Sequence, residues 1–522
     1  MWGKKCMNKK IFGIVICMLF IATSFTSVAN IQRNTGNLQP PIEWTETYGG
    51  SKLDVLHYMQ ATSDGGYIMV GCTYSEGVGN YDVSLIKTDI NGHIDWSNTY
   101  GGTTRDEGYC VQQTTDNGYI ICGESYQSSL DDEGYWIKTD ANGNKQYEII
   151  EPRSTNSDMV NCVQQTDDGG YISVGTTTDY STSQVWLVKQ YSNLYIQWTK
   201  NFGTNAGGSW IECTNDGGCI MIGYTESPTH RWQMLLSKID KNGNEQWFKT
   251  FGGTNSEFGN YGIQTTDGGY VIVGVTESFG QGGADIYVIK TDEYGNKEWE
   301  KTIGTPGHEL GNSIIQTCDG GYFIVGYSLI FGNQDVLAIK LDINGDVDWI
   351  DNYGGLSDEI GVYGQQTSDG GYIIAGSTAS YGAGEADFWL IKLETQTNRP
   401  NIPTITGRNN LLVNKEYEFT FISTDPDSDD IFYTVDWGDG NLESWNGPHN
   451  SGTALKLKHT YLSEDNFLIK CKVRDINGAE SSNWGVLNVN TPKDKSTTSR
   501  FLDFLSNTFP IFEKILNNYC KQ

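Results

Sequence analysis

The sequence predicts an all-β protein: seven repeated four-stranded units that close on themselves, then a smaller β-sandwich. Three observations predict it. A strand-rich motif recurs seven times at a spacing of roughly 50 residues, a period that belongs to propellers and solenoids. The array lacks its last strand at one end and carries a spare copy of it at the other. Behind the array, residues 403–490 alternate polar and apolar residues without the repeat.

The motif is built on Thr-x-Asp-Gly-Gly-Tyr. Its second glycine falls at Gly66, Gly118, Gly170, Gly218, Gly269, Gly321 and Gly371. Thr stands four residues before that marker and Gly five after it in every copy. Asp stands two before it, at Asp64, Asp116, Asp168, Asp216, Asp267, Asp319 and Asp369. A Thr and an Asp that bond turn amides, with glycines that permit the return, make a structural turn. One unit then reads as four strands. Residues 55–62 lead into the turn and 67–73 leave it; 83–88 form the third strand. Asn91-Gly92 suits a tight hairpin into the fourth, which opens at Ile94-Asp95-Trp96. Four antiparallel strands per copy is the blade of a β-propeller.

The fourth-strand Trp recurs at Trp96, Trp198, Trp247, Trp299 and Trp349, and the seventh copy has no such strand after Lys392. An orphan copy stands in front, Ile42-Glu43-Trp44-Thr45-Glu46-Thr47-Tyr48-Gly49-Gly50. It can complete the last blade and leave no open edge. The expected architecture is a seven-bladed β-propeller over 42–398, closed by its N-terminal strand. The unit W-x-x-x-Y-G-G … Q-T-x-D-G-G-Y-I-x-x-G … D-x-x-L-I-K-T-D-x-x-G resembles the β-propeller repeats of secreted prokaryotic, often archaeal, proteins. Copies three and four depart from it at Glu151-Pro152-Arg153 and Phe202-Gly203-Thr204.

Residues 399–402 read as a linker. In 403–490, Val435-Asp436-Trp437-Gly438-Asp439-Gly440, His459-Thr460-Tyr461 and Cys471-Lys472-Val473-Arg474-Asp475 resemble the PKD module, an immunoglobulin-like sandwich. That resemblance implies an extracellular spacer or interaction domain. A polar linker follows at 491–500. The tail 501–522 places Phe501, Leu502, Leu505, Phe509, Phe512, Ile515 and Leu516 around one helix face.

At the other end, 1–29 reads as a secretory signal and 30–41 as a linker. Lys4, Lys5, Lys9 and Lys10 precede the apolar run Ile11 to Ile21, and Ser27-Val28-Ala29 supplies small residues for cleavage. The expected location is secreted or cell-surface, with membrane contact only through the signal or a surface attachment. The 35 basic and 64 acidic residues leave a net charge of −29, which excludes a basic face for nucleic acid. Eleven cysteines, none in a CxxC pair, specify neither a disulfide framework nor a Cys-rich zinc site. Cys213 and Cys219 flank one turn and read as two separate thiols.

No HExxH or G-x-S-x-G motif occurs. Twelve residues before the marker stand Asp54, Asp106, Asp158, Ala206, Glu257, Glu309 and Glu359. They open the innermost strands and form a candidate carboxylate rim for a cation or a hydroxyl-rich ligand. Tyr74, Tyr126, Tyr180, Phe279, Phe331 and Tyr381 stand in or beside the loops of the same face, where exposed rings suit sugar stacking. A lysine on every third strand (Lys87, Lys138, Lys189, Lys238, Lys290, Lys340, Lys392) reads as structural, with Asp five residues upstream in four copies making a surface ion-pair belt. In the sandwich Asp425, Asp427 and Asp429 alternate as candidate oxygen ligands for Ca2+. These features read as a noncatalytic recognition or adhesion protein for an extracellular glycan or surface protein. The alternatives are a polysaccharide-active hydrolase or lyase, and a passive envelope component.

Overall fold

The structure, a computed structural model, describes residues 40–128, 131–151, 157–178, 182–330, 332–394, 400–426, 429–476, 479–481, 483–492, 504, 505 and 508. The signal segment, Arg153, Tyr180, Phe331, Asp427 and most of the tail lie outside them. Two compact units divide the chain, Met1–Thr395 and Gln396–Gln522.

Seven antiparallel four-stranded sheets make the first unit. The first comprises Asp54–Ala61, Tyr67–Thr73, Asp82–Thr88 and Ile94–Tyr100. Its middle strands, YIMVGCT and DVSLIKT, are buried throughout, because both sheet faces are covered by neighbouring sheets. The outer strand IDWSNTY keeps residues in solvent. Glycine five after the marker is dictated by crowding: a Cβ on Gly71 would lie 1.9 Å from the Val55 carbonyl oxygen.

Neighbouring sheets are stitched through the turns. Gln113 Oε1 accepts from the Ser63 amide at 2.8 Å, Gln165 from Thr115 at 2.8 Å and Gln316 from Thr266 at 2.8 Å. Sheets one and seven are joined too: the Leu56 amide donates to Ser377 Oγ at 2.9 Å and the Ala61 amide to Gln365 Oε1 at 3.3 Å. Rings from copies one, four, five and seven meet in the middle, Tyr58 with Trp210 at 5.2 Å and with Tyr363 at 4.8 Å, and Trp210 with Tyr261 at 4.1 Å.

The strand Ile42–Tyr48 is the outer strand of the seventh sheet, with Trp44 opposite Lys392 and Glu46 opposite Leu390. Its Tyr48 hydroxyl donates to the Gly92 carbonyl of the first sheet at 2.6 Å. Tyr100, on the outer strand of the first sheet, bonds Gly143 of the second in the same way, at 2.5 Å. The N-terminal strand thus takes the position toward sheet one that the outer strand of sheet one takes toward sheet two.

In the motif turn Thr62 Oγ1 donates to Asp64 Oδ1 at 2.5 Å and the Gly66 amide donates to the same oxygen at 3.1 Å. The third-strand lysine completes it. Lys87 Nζ lies 2.9 Å from Asp64, Lys189 3.0 Å from Asp168 and Lys238 2.9 Å from Asp216. The expected belt between each lysine and the acid five residues upstream is absent. An odd offset puts the two side chains on opposite faces of a strand, and the upstream acids serve loops instead. Asp82 accepts the Val78 amide at 2.8 Å, and Asp387 accepts that of Ala383 at 2.8 Å.

These turns predict an acid transition. Burial works against ionisation of Asp64, Asp168 and Asp216, but the Thr hydroxyl, the lysine and the glycine amide outweigh it and hold each carboxyl at about 2. A depressed folded value contributes stability that is present above the ordinary aspartate value of about 3.9 and is lost as pH falls through the folded one. Tryptophan fluorescence of the first unit should stay native down to about pH 4 and collapse between there and about pH 2. Complete unfolding above pH 4 would refute the assignment.

The second unit has a three-stranded sheet (Thr404–Gly407, Glu416–Ile422, Leu455–Thr460) and a four-stranded one (Leu442–His449, Ile431–Asp436, Asn466–Asp475, Gly485–Asn490). The two motifs meet in its core. His459 stacks on Trp437 at 4.4 Å and its Nε2 is 2.8 Å from Asp439 Oδ2. The Tyr461 hydroxyl donates to the Trp437 carbonyl at 3.0 Å.

Candidate functional site

The acids that open the inner strands do not present themselves as a rim. Asp54, Asp106, Asp158, Glu257, Glu309 and Glu359 are all buried. Asp54 accepts the Gly50 amide at 2.7 Å, Asp106 that of Gly102 at 2.8 Å and Glu257 that of Gly253 at 2.9 Å. Glu309 accepts that of Thr305 at 2.8 Å and Glu359 that of Gly355 at 2.7 Å. A hydroxyl from the neighbouring strand adds a second bond, as Thr276 gives Glu257 and Thr378 gives Glu359, both at 3.0 Å. The turn that feeds each inner strand leaves amides without ladder partners, and a carboxylate at the first strand position satisfies them.

The rings separate into two sets. Phe279, 40% exposed, packs on Tyr287, and Tyr381, 46% exposed, packs on Trp389. Tyr74, 38% exposed, lies edge-on to Tyr81 at 4.9 Å with Lys52 Nζ over its face at 4.9 Å. Tyr74 and Tyr126 line one cavity of about 1010 Å3 where the first three sheets and the loop before the last strand of the seventh converge. Tyr81, Tyr109, Arg105, Glu124, Asp132 and Lys52 also line it. In the second unit Asp425 is buried, and Asp425 Oδ1 accepts the Asp429 amide at 3.3 Å.

The cavity sits where the repeat is broken. Glu107 and Glu124 are directly opposite on adjacent strands of the second sheet. The same pair in the other copies is Val55–Cys72, Met159–Thr176, Gly207–Tyr224, Phe258–Val275, Leu310–Tyr327 and Ile360–Ser377. Two buried carboxylates face to face repel unless a cation or a shared proton lies between them. Arg105 supplies the cation, with Nε 2.7 Å from Glu107 Oε1 and Nη2 3.0 Å from Glu124 Oε1. The two acids settle differently. Burial raises Glu107, but His57 and then Arg105 outweigh it and bring the carboxyl down to about 2. Burial, then the charges of Asp132 and Glu107, push Glu124 up to about 7 against the pull of Arg105.

Residue reading from the sequence passed over Glu107, Glu124, His57, Cys72, Tyr81 and Tyr109. The signal was present when the seven copies are aligned on the marker glycine. Copy two alone carries Arg at thirteen before it and acids at both eleven before and six after it. Cys213 and Cys219 do face each other, as free thiols with sulfurs 3.4 Å apart.

No family model and no curated protein matches the chain. Among solved structures, the PKD domain of an M14-like peptidase from a Thermoplasmatales archaeon is 40% identical over 19% of this chain and 99% of its own length, with a TM-score of 0.18. Over that stretch the chain is similar to a PKD domain. An extracellular domain assigned to a one-component system of B. thetaiotaomicron is 10% identical, over 85% of this chain and 69% of that one, with a TM-score of 0.28. A Dyadobacter fermentans protein of unknown function is 10% identical, over 68% of this chain and 99% of that one, with a TM-score of 0.36. Likenesses at these scores fix neither the fold nor an activity.

Proposed function

We propose that the first unit is a seven-bladed propeller and that the chain is a secreted or cell-surface recognition protein, noncatalytic, with a PKD-type spacer behind it. Its ligand is an extracellular glycan held in the cavity lined by Tyr74, Tyr81, Tyr109 and Tyr126. The observation that carries this reading is the coincidence of that cavity with the break in the repeat. Residues that hold every copy together recur in every copy, whereas a ligand needs its contacts once. Tyrosine faces suit the apolar face of a sugar ring, and Arg105, Lys52, Glu124 and Asp132 supply donors and acceptors for hydroxyls. The buried acids at the strand starts shape the loops around it.

A glycan array on residues 30–492 tests the reading. Tyr74→Ala is expected to weaken binding of any hit about tenfold, the loss of roughly 1.4 kcal/mol of stacking. Tyr381→Ala, which lies outside the cavity, should leave affinity unchanged. Equal losses from both variants would put the sugar outside this cavity, and no bound glycan at all would favour the passive envelope reading. One observation favours hydrolysis as a second reading: Glu107 and Glu124 are paired carboxyls directly opposite each other on adjacent strands, and Glu124 lines the cavity. A product assay on each bound glycan separates the two.

A further inference from the structure

The geometry points to a single zinc-type metal site between the first and second sheets, formed by His57 Nε2, Cys72 Sγ and Glu107 Oε2. The three donor atoms lie within 4.8 Å of one another. His57 Nε2 is 3.6 Å from Glu107 Oε2 and 3.9 Å from Cys72 Sγ. Donors at about 2.0–2.3 Å from a tetrahedral zinc stand roughly 3.3–3.6 Å from each other. Small side-chain rotations therefore close the set around an ion. A nitrogen, a thiolate and a carboxylate are ligands zinc accepts together, and three protein ligands leave a fourth position for water or a bound group.

The repeat shows that this is not the structural default of the fold. His57 stands nine residues before the marker, at the bulge where the register shifts between Leu56 and Tyr58. Copies three, five and six hold Asn161, Asn260 and Asn312 there. Each donates Nδ2 to a carbonyl of the next sheet, at Gly208, Gly311 and Gly361, over 2.7, 2.9 and 2.8 Å. Copy one gives up that asparagine for an imidazole beside a carboxylate and a thiol. Glu107 in turn occupies a position that is apolar or glycine in every other copy.

Arg105 does not block the site, because the two carboxylate oxygens are divided. Its Nε bonds Glu107 Oε1 at 2.7 Å, while Oε2 faces His57 and receives the Tyr109 hydroxyl at 3.3 Å. Arg105 and Tyr109 then act as an outer layer that orients the ligand oxygen, and both also line the cavity. Binding converts the Cys72 thiol to a thiolate and releases its proton to solvent.

The test uses full-length protein lacking only the signal segment, stripped with chelator and titrated with Co2+ and then Zn2+. One equivalent of Co2+ should produce a thiolate-to-cobalt charge-transfer band that Zn2+ abolishes. Cys72→Ser should remove the band. His57→Asn installs the residue that copies three, five and six hold there, so the protein should still fold cooperatively, and it should weaken Co2+ at least tenfold. Cys318→Ser and Cys213→Ser should retain the full band. No band in the parent protein, or a band that survives both Cys72→Ser and His57→Asn, overturns the site. None of these readouts depends on glycan binding.

Discussion

A chain lacking residues 42–48 is expected to lose the cooperative fold of its first unit. Those residues supply the outer strand of the seventh sheet. Their removal strips the strand Asp387–Leu393 of the ladder from Trp44–Lys392 to Tyr48–Phe388. It also removes the Glu43–Lys392 ion pair at 3.1 Å and the Tyr48 bond to Gly92. Tyr48 is buried and Trp44 packs against the same core. Two aromatic side chains of this size account for about 5 kcal/mol of burial, as much as the whole stability of many domains. The strand left bare would be an open edge and a template for aggregation. Urea unfolding followed by tryptophan fluorescence should show a broad transition at low denaturant, or none. A parent-like midpoint would mean that the terminal strand does not hold sheets one and seven together.

Arg105→Leu should be the most damaging single substitution around the cavity, and its damage should depend on pH. Glu107 is 7% exposed and Glu124 4%, and they face each other across the ladder. Without the guanidinium Glu124 loses its cation and Glu107 keeps only His57 and the Tyr109 hydroxyl, a loss of about 3 kcal/mol once the partial exposure of Arg105 is allowed for. The sign follows from Glu124. Its folded value of about 7 lies above the ordinary glutamate range, so the favourable state is the protonated one, present at low pH and lost as pH rises through that value. The deficit of Arg105→Leu should therefore be large at pH 8 and smaller at pH 5. Adding Glu124→Gln should recover part of it at pH 8. Equal deficits at both values in urea melts would show that Arg105 acts by packing alone.

Much of the fold was legible because it is local and repeated. Thr, Asp and the glycines of each turn bond within a few residues of one another, so seven recurrences specified seven hairpins. The surplus Trp44 segment and the missing strand after Lys392 named each other as partners. The Trp437 and His459 motifs likewise pointed to one core. The sites were read less well. Acids at the strand starts looked like a rim because their charge is visible in the sequence and their burial is not. The lysine partners were misassigned although strand alternation alone puts residues five apart on opposite faces.

By itself the sequence determined the all-β class, the number of repeated units, the turn chemistry and the strand that completes the last sheet, since each depends on spacing along the chain. Tertiary structure alone decided that His57 and Cys72 of the first sheet converge on Glu107 of the second. It also placed Tyr74 and Tyr126 on one cavity. These residues belong to different strands and, for the most part, to different sheets. Which of them touch depends on how neighbouring sheets are packed and twisted against each other, a relation that spacing within a single repeat does not encode.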